Sequence, residues 1–202
     1  CGFTTYISKK SLQEMKLAGP LLPEQQQLEK NILQVIEKRS LQLLDFVESY
    51  SAFNKLAVAK ITTISSTELN CRLQAIFPAL VISQDENLQL NADIGQLEQA
   101  LINIIKNAIE ANIANSATTA VVINWHQNKR NTTIQIIDSG FGIANPDNLF
   151  VPFYSTKEKG TGIGLILSRE FIRNQGGELI LENRQGGQGA IAVFTLLNSQ
   201  NT

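Results

Sequence analysis

Downstream of Pro23, apolar residues recur at spacings of three, four and seven: Leu28, Ile32, Val35, Ile36, Leu43, Phe46, Val47, Tyr50 and Phe53. That period marks one face of an α-helix, and proline suits the first helical position. The pattern predicts a helix over 23–56, about 50 Å long at 1.5 Å per residue. A stripe this long must pack against something. Before it, residues 1–22 carry little signal beyond a capping-box pattern at Ser11-Leu-Gln-Glu14 and a stop at Gly19-Pro20, and no function attaches to them. After it, 57–66 reads as a connector, so 23–66 forms one unit and 67–200 another.

The second unit mixes its periods. A short helix is expected over 67–77, broken by Pro78, and strand-like alternation over 80–91 precedes a helix around Asn103. In that helix Leu97, Leu101, Ile104, Ile105 and Ala108 supply a buried side, while Asn103 and Asn107, four apart, share another face. Segments 119–125 and 132–138 read as strands joined by a polar turn. A helix follows from Ile163, and a last strand pair over 178–182 and 190–197 flanks the turn-rich stretch 183–189. Strands and helices do not alternate regularly, as a parallel sheet would require. The expected fold is an α/β (α+β) two-layer sandwich, with a mostly antiparallel sheet covered by helices on one face.

Composition narrows the function. Lys and Arg total 17 against 18 Asp and Glu, and no basic cluster marks a nucleic-acid or anionic-lipid surface. Cys1 and Cys71 form no short-spaced pair that would support a zinc site or a disulfide framework, which suits a reducing cytoplasm. Neither an apolar run near the ~18 residues of a membrane span nor a signal-peptide pattern occurs, so a soluble, cytoplasmic piece is expected. The chain opens on Cys1 rather than Met, which leaves room for an upstream membrane anchor.

Two glycine clusters carry the chemistry: Asp138-Ser-Gly140-Phe-Gly142-Ile143 and Gly160-Thr161-Gly162-Ile163-Gly164-Leu165. An acid just before two glycines lets a carboxylate accept from an exocyclic amine while bare backbone passes close to a flat base. The second cluster opens an apolar-periodic helix, whose N-terminal amides attract phosphate. Two asparagine amides on one helix edge suit a hydrated cation and its phosphates. Together with Asn103-Ile-Ile-Lys-Asn107-Ala, the clusters describe a nucleotide site.

In this order the motifs resemble the ATP-binding catalytic domain of sensor histidine kinases, within the superfamily of gyrase, heat-shock chaperone and mismatch-repair ATPases. Residues 96–111 resemble its N-box, 138–143 its G1 box, 150–157 its F-box and 160–165 its G2 box, and the likeness covers 68–198. The 150–165 stretch and the helix before the domain are similar to the nitrogen-regulation branch. The resemblance implies the Bergerat ATP-binding fold, with ATP and Mg²⁺ as cofactors. It gives Asn107 to Mg²⁺, Asp138 to the adenine amine, and Gly140, Gly142, Ile143, Gly160, Thr161, Gly162, Ile163, Gly164 and Leu165 to the nucleotide. It makes 144–159 a mobile lid held by Phe150 and Phe153, from which Lys157 reaches the phosphates. The 23–56 helix is then either the second helix of a dimerisation hairpin in a homodimer, which the long heptad-like stripe favours, or a helix lying on its own domain. The phosphoacceptor helix, from upstream or from a second subunit, and a response-regulator receiver domain are the implied protein partners.

Three positions depart from the pattern or qualify it. Asn103 stands where hydrolytic superfamily members carry a Glu that activates water, and an amide cannot be that base, so phosphoryl transfer is favoured over hydrolysis. Glu110 occupies a position that often holds Lys, Arg or His; either Lys157 supplies the missing charge or nucleotide affinity is modest. The single histidine, His126, lies on a predicted strand in no phosphoacceptor box. The function expected is therefore a histidine kinase catalytic domain that lacks its own acceptor. The alternatives are a nucleotide-sensing regulatory module, or an anti-sigma-type serine kinase, which would lack the long helix.

Overall fold

The computed structural model describes residues 23–54, 58–83, 87–152, 154, 155, 157 and 162–198. The chain divides into two compact units, Cys1–Asp45 and Phe46–Thr202. Helix α1 (Pro23–Asn54) contains the boundary and matches the helix expected from the 3.6-residue period. Its stripe residues Leu28, Ile32, Val35, Ile36, Leu43 and Val47 are all exposed. The side chains of Phe46, Tyr50 and Phe53, and the expected capping box at 11–14, lie outside the described residues. No helix of the described residues is long and apolar enough to cross a membrane.

The second unit begins with a departure from expectation. The stretch read as a connector contains strand β1 (Thr62–Ser65), paired antiparallel with β3 (Gln89–Ala92) from Thr62 opposite Ala92 to Ser65 opposite Gln89. Only Ile64 of that strand is buried, so its pairing rests on a partner strand more than 20 residues away in sequence rather than on a visible alternation. Helix α2 (Ser66–Ile76) follows directly, its first turn capped by Ser65, whose Oγ accepts from Glu68 N at 3.1 Å.

The main sheet has the order β2 (Val81–Ser83), β4 (Val122–Gln127), β5 (Asn131–Ile137), β7 (Ala190–Leu197), β6 (Glu178–Asn183). Only the β2–β4 pair is parallel. Ile123 and Trp125 of β4, Ile134 and Ile136 of β5, Leu179 of β6, and Ala192, Phe194 and Leu196 of β7 join one core with Leu69 and Leu73 of α2. Leu97, Leu101, Ile104, Ile105 and Ala108 of α3 (Ile94–Ala114) and Ile172 of α4 (Gly164–Arg173) complete that core. Trp125 also ties the sheet to α2 through a bond from Nε1 to Asn70 Oδ1 at 3.0 Å.

Three features of this core set up the site. Asp93 caps α3, its Oδ1 accepting from Gln96 N at 3.1 Å, which fixes where the helix starts. The five predicted apolar positions then face inward and turn Asn103 and Asn107 to the rim. In β5, burial alternates through Thr132, Ile134 and Ile136, and the next even position, Asp138, falls on the same inward side just past the strand end.

Candidate nucleotide site

Helix α3 is the spine of the site. Asn103 Nδ2 donates to Ser168 Oγ of α4 at 3.4 Å, and Ser168 Oγ donates to Gly164 O at 2.8 Å. Gly164 lies so near that a β-carbon there would sit 4.0 Å from the Asn103 amide. The start of α4 therefore meets the first of the two asparagines. Ile163 is buried, its carbonyl accepting from Leu167 N at 3.0 Å, and Leu165 packs on the core. Gly162 has φ +69°, while Gly160 and Thr161 lie outside the described residues.

One turn along α3 from Asn103, Asn107 Oδ1 accepts from Lys157 Nζ at 2.6 Å, and the same ammonium is ion-paired with Glu110 Oε2. Glu110, the departure noted in the sequence, is thus matched by Lys157. An amide oxygen that already receives a cation is the right donor for a hard ion such as Mg²⁺, which binds oxygen and retains several waters. Among the described residues no cluster of three or more His, Cys, Asp or Glu forms a metal cage.

The base end forms where β5 runs out. Asp138 is 9% exposed, and its Oδ1 accepts from Gly140 N at 2.9 Å and from Ala190 N at 3.0 Å. Both hydrogen bonds that the carboxylate makes among the described residues go to Oδ1, and no buried side-chain polar atom lacks a partner there. Among the described residues no hydrogen bond is made to Oδ2. Gly140 presses the loop onto α3, and a β-carbon at this position would lie 2.6 Å from Ala111 Cβ. Ser139 N donates to Asn112 Oδ1 at 2.7 Å, and Asn115 Nδ2 donates to Ser139 O at 2.8 Å. From Asn103 to Ala111 is eight residues, about 12 Å along the helix, so base and phosphate ends are spaced by one rigid element.

Phe150 is half-buried beneath the guanidinium of Arg169, whose carbon stands 4.3 Å from the ring centroid. The contact seen for Phe150 is thus with Arg169, and Phe153 lies outside the described residues. Arg169 and Arg173 bond Glu178 at 2.8 and 3.2 Å. Partial burial pushes the Glu178 carboxyl up, but the two arginines outweigh it and hold the group below its ordinary value. His126 is exposed on β4, and Cys71 is an exposed free thiol.

Asn112 and Asn115 were not singled out in the sequence. They continue the asparagine series of α3 at a further five and eight positions beyond Asn107, and that repetition was the available signal.

Residues 92–200 match the family described as histidine kinase-, DNA gyrase B-, and HSP90-like ATPase, more than half of the chain. The chain belongs to this family. Among its members, Sporulation kinase C of Bacillus subtilis is 33% identical over 144 residues, taking in 70% of this chain and 32% of that protein. The chain thus spans about a third of that relative's length. A solved structure of the catalytic domain of histidine kinase ThkA, in a nucleotide-free form, is 27% identical with a TM-score of 0.59, covering 68% of this chain and 95% of that one. ThkA in complex with the response regulator protein TrrA gives a TM-score of 0.66 at 21% identity, over 98% of this chain and 58% of the other, a likeness of fold. The α/β arrangement expected from the sequence is that of histidine kinase catalytic domains.

Proposed function

We propose that this member of the ATPase family is the ATP- and Mg²⁺-binding catalytic domain of a sensor histidine kinase, joined to the second helix of its dimerisation hairpin. The observation that carries the reading is the buried Asp138 carboxylate beside a loop held against α3 at Gly140: both hydrogen bonds it makes among the described residues go to Oδ1 and none to Oδ2. That oxygen accepts from the adenine amine, while Gly140, Gly142 and Ile143 pass under the base. Guanine presents a carbonyl at the corresponding edge and meets a carboxylate there, which disfavours it.

At the other end, Asn107 would hold Mg²⁺ through Oδ1, and the ion would neutralise charge on the phosphates. Gly160, Thr161, Gly162, Ile163, Gly164 and Leu165 receive the phosphates at the start of α4, where unpaired amides point outward. Lys157 adds a point charge. Asn103 presents an amide where a water-activating carboxylate would promote hydrolysis, so the γ-phosphoryl is kept for transfer. Catalysis is then positioning and electrostatic stabilisation, and the nucleophile comes from a histidine outside this chain. The exposed stripe of α1 supports dimerisation through a hairpin with a second helix. A response-regulator receiver domain is the downstream partner, by likeness to the ThkA–TrrA pair.

Titration of the chain with Mg-ATP and Mg-GTP tests the reading. Asp138→Asn should weaken ATP by about 1.5–3 kcal/mol, the range for a hydrogen bond to a charged group, because one amide cannot accept on both oxygens. Equal affinity for the two nucleotides, or an unaffected variant, would sink it.

A further inference from the structure

The turn-rich stretch 183–189, read in the sequence only as a link between two strands, is built against the loop that carries Asp138. Asn183, the last residue of β6, reaches forty positions back to Ile143. Its Oδ1 accepts from Ile143 N at 2.6 Å and its Nδ2 donates to Ile143 O at 3.0 Å. One side-chain amide thus holds both backbone groups of one loop residue. Beside it, Gly142 has φ +80°, a region that L side chains rarely adopt, and a β-carbon there would lie 2.6 Å from Asn183 Oδ1. Arg184 continues the contact, Nη1 donating to Asp138 O at 3.2 Å and to Ser139 Oγ at 3.3 Å.

We propose that Asn183 is a positioning residue for base recognition, a clamp that fixes the far end of the 138–143 loop so that the base lies in register with Asp138. The inference rests on the adenine reading above and adds to it a residue that does not touch the nucleotide. Its physical basis is pre-organisation. A loop with two glycines has many conformations to lose on binding, and a clamp that removes them beforehand lowers the cost. Only an amide makes both bonds: a carboxylate lacks the donor and faces the Ile143 carbonyl with like charge, and a hydroxyl is too short to span both groups. Because hydrogen bonds weaken steeply off line, a loosened base loses its bond to Asp138 before it loses undirected packing.

The test compares ATP with inosine triphosphate, which lacks the exocyclic amine, in the wild-type chain, Asn183→Ala and Asn183→Ser. Asn183→Ala should weaken ATP about five- to tenfold, the scale of one ordinary hydrogen bond, and weaken the inosine nucleotide less, so that the affinity ratio narrows. Asn183→Ser should fall between, and the melting temperature without nucleotide should stay near wild type, since Asn183 is exposed. If Asn183→Ala lowers the melt too, the serine variant decides: an intermediate ratio supports the clamp and a wild-type ratio overturns it. Equal losses on both nucleotides would also overturn it, leaving Asn183 as a fold contact. A wild-type chain that fails to separate the two nucleotides removes the adenine reading itself, a result distinct from a clamp variant that keeps the wild-type ratio.

Discussion

Lys157 Nζ stands 2.6 Å from Asn107 Oδ1 and closes an ion pair with Glu110, so a lysine ammonium sits on the oxygen proposed for the metal. Positive charge is therefore already accommodated at this amide. For Mg²⁺ to take the same oxygen, the ammonium must move, and the phosphates are its natural next partner.

Asn107→Ala is expected to abolish most of the Mg²⁺ dependence of ATP binding while leaving the nucleotide-free melt almost unchanged, because Asn107 is only half-buried. Lys157→Met separates the two roles. Its pair with Glu110 is 43% and 57% exposed, and surface pairs contribute at most about 1 kcal/mol, so the melt should hardly shift. ATP affinity should fall, and more at low ionic strength, where an exposed charge is least screened. Calorimetric titration at two salt concentrations checks both, and an unchanged Mg²⁺ dependence in Asn107→Ala would contradict the assignment.

Gly140→Ala forces a methyl to within 2.6 Å of Ala111 Cβ and 3.0 Å of the Ala111 carbonyl carbon. The helix backbone cannot yield cheaply. A destabilisation of about 1–3 kcal/mol is expected, as for other overpacked sites, accompanied by weakened ATP binding as the loop lifts. Denaturant unfolding measures the first and titration the second.

Acid should loosen the end of the sheet near Phe150. Glu178 has a folded-state pKa below its ordinary value of 4.5, so its contribution is complete above that value and is lost as pH falls through the lower, folded one. Glu178→Gln should therefore flatten the stability profile below about pH 4.5 and lower stability at neutral pH. Chemical denaturation across that window is the measurement, and parallel profiles for wild type and variant would remove Glu178 from the account.

The chain alone should not phosphorylate itself. His126 is its single histidine, exposed on β4 opposite Thr133 and in no acceptor context. Incubation with γ-labelled ATP should leave no acid-labile phosphate, and a label that disappears in His126→Gln would make His126 the acceptor. Adding a segment that bears an acceptor histidine should restore transfer.

Much of this was legible because it is local. The inward face of α3 follows from Leu97, Leu101, Ile104, Ile105 and Ala108 at helical spacing, and the same period turns Asn103 and Asn107 to the rim. Asp138 could be placed at the end of a strand because it follows an alternating run and precedes two glycines. What could not be read depends on partners far along the chain. Strand β1 forms only because Gln89–Ala92 lies beside it. Glu110 looked like a defect until Lys157, 47 positions on, folded onto it. Asn183 looked like any turn residue because its partner Ile143 is brought to it by the pairing of β6 with β7 and of β7 with β5. Local patterns announce faces and turns, but they do not announce which distant backbone a polar side chain will hold.

The inward direction of Asp138 is set by parity, since it lies two steps from Ile136 and four from Ile134 on a strand whose side chains alternate. The direction of this carboxylate is consequently independent of the length of the β4–β5 turn at 128–130, where added residues would leave the count from Ile134 to Asp138 intact. A single residue inserted within that count would send the carboxylate to the opposite side of the sheet, and an insertion before Ile136 would turn that core residue outward as well. The two ends of this hairpin thus answer to different constraints, one to its local turn bonds and the other to a residue count, and a one-codon insertion after Ile134 is a test of the proposed adenine reading that changes the direction of the carboxylate and not its identity.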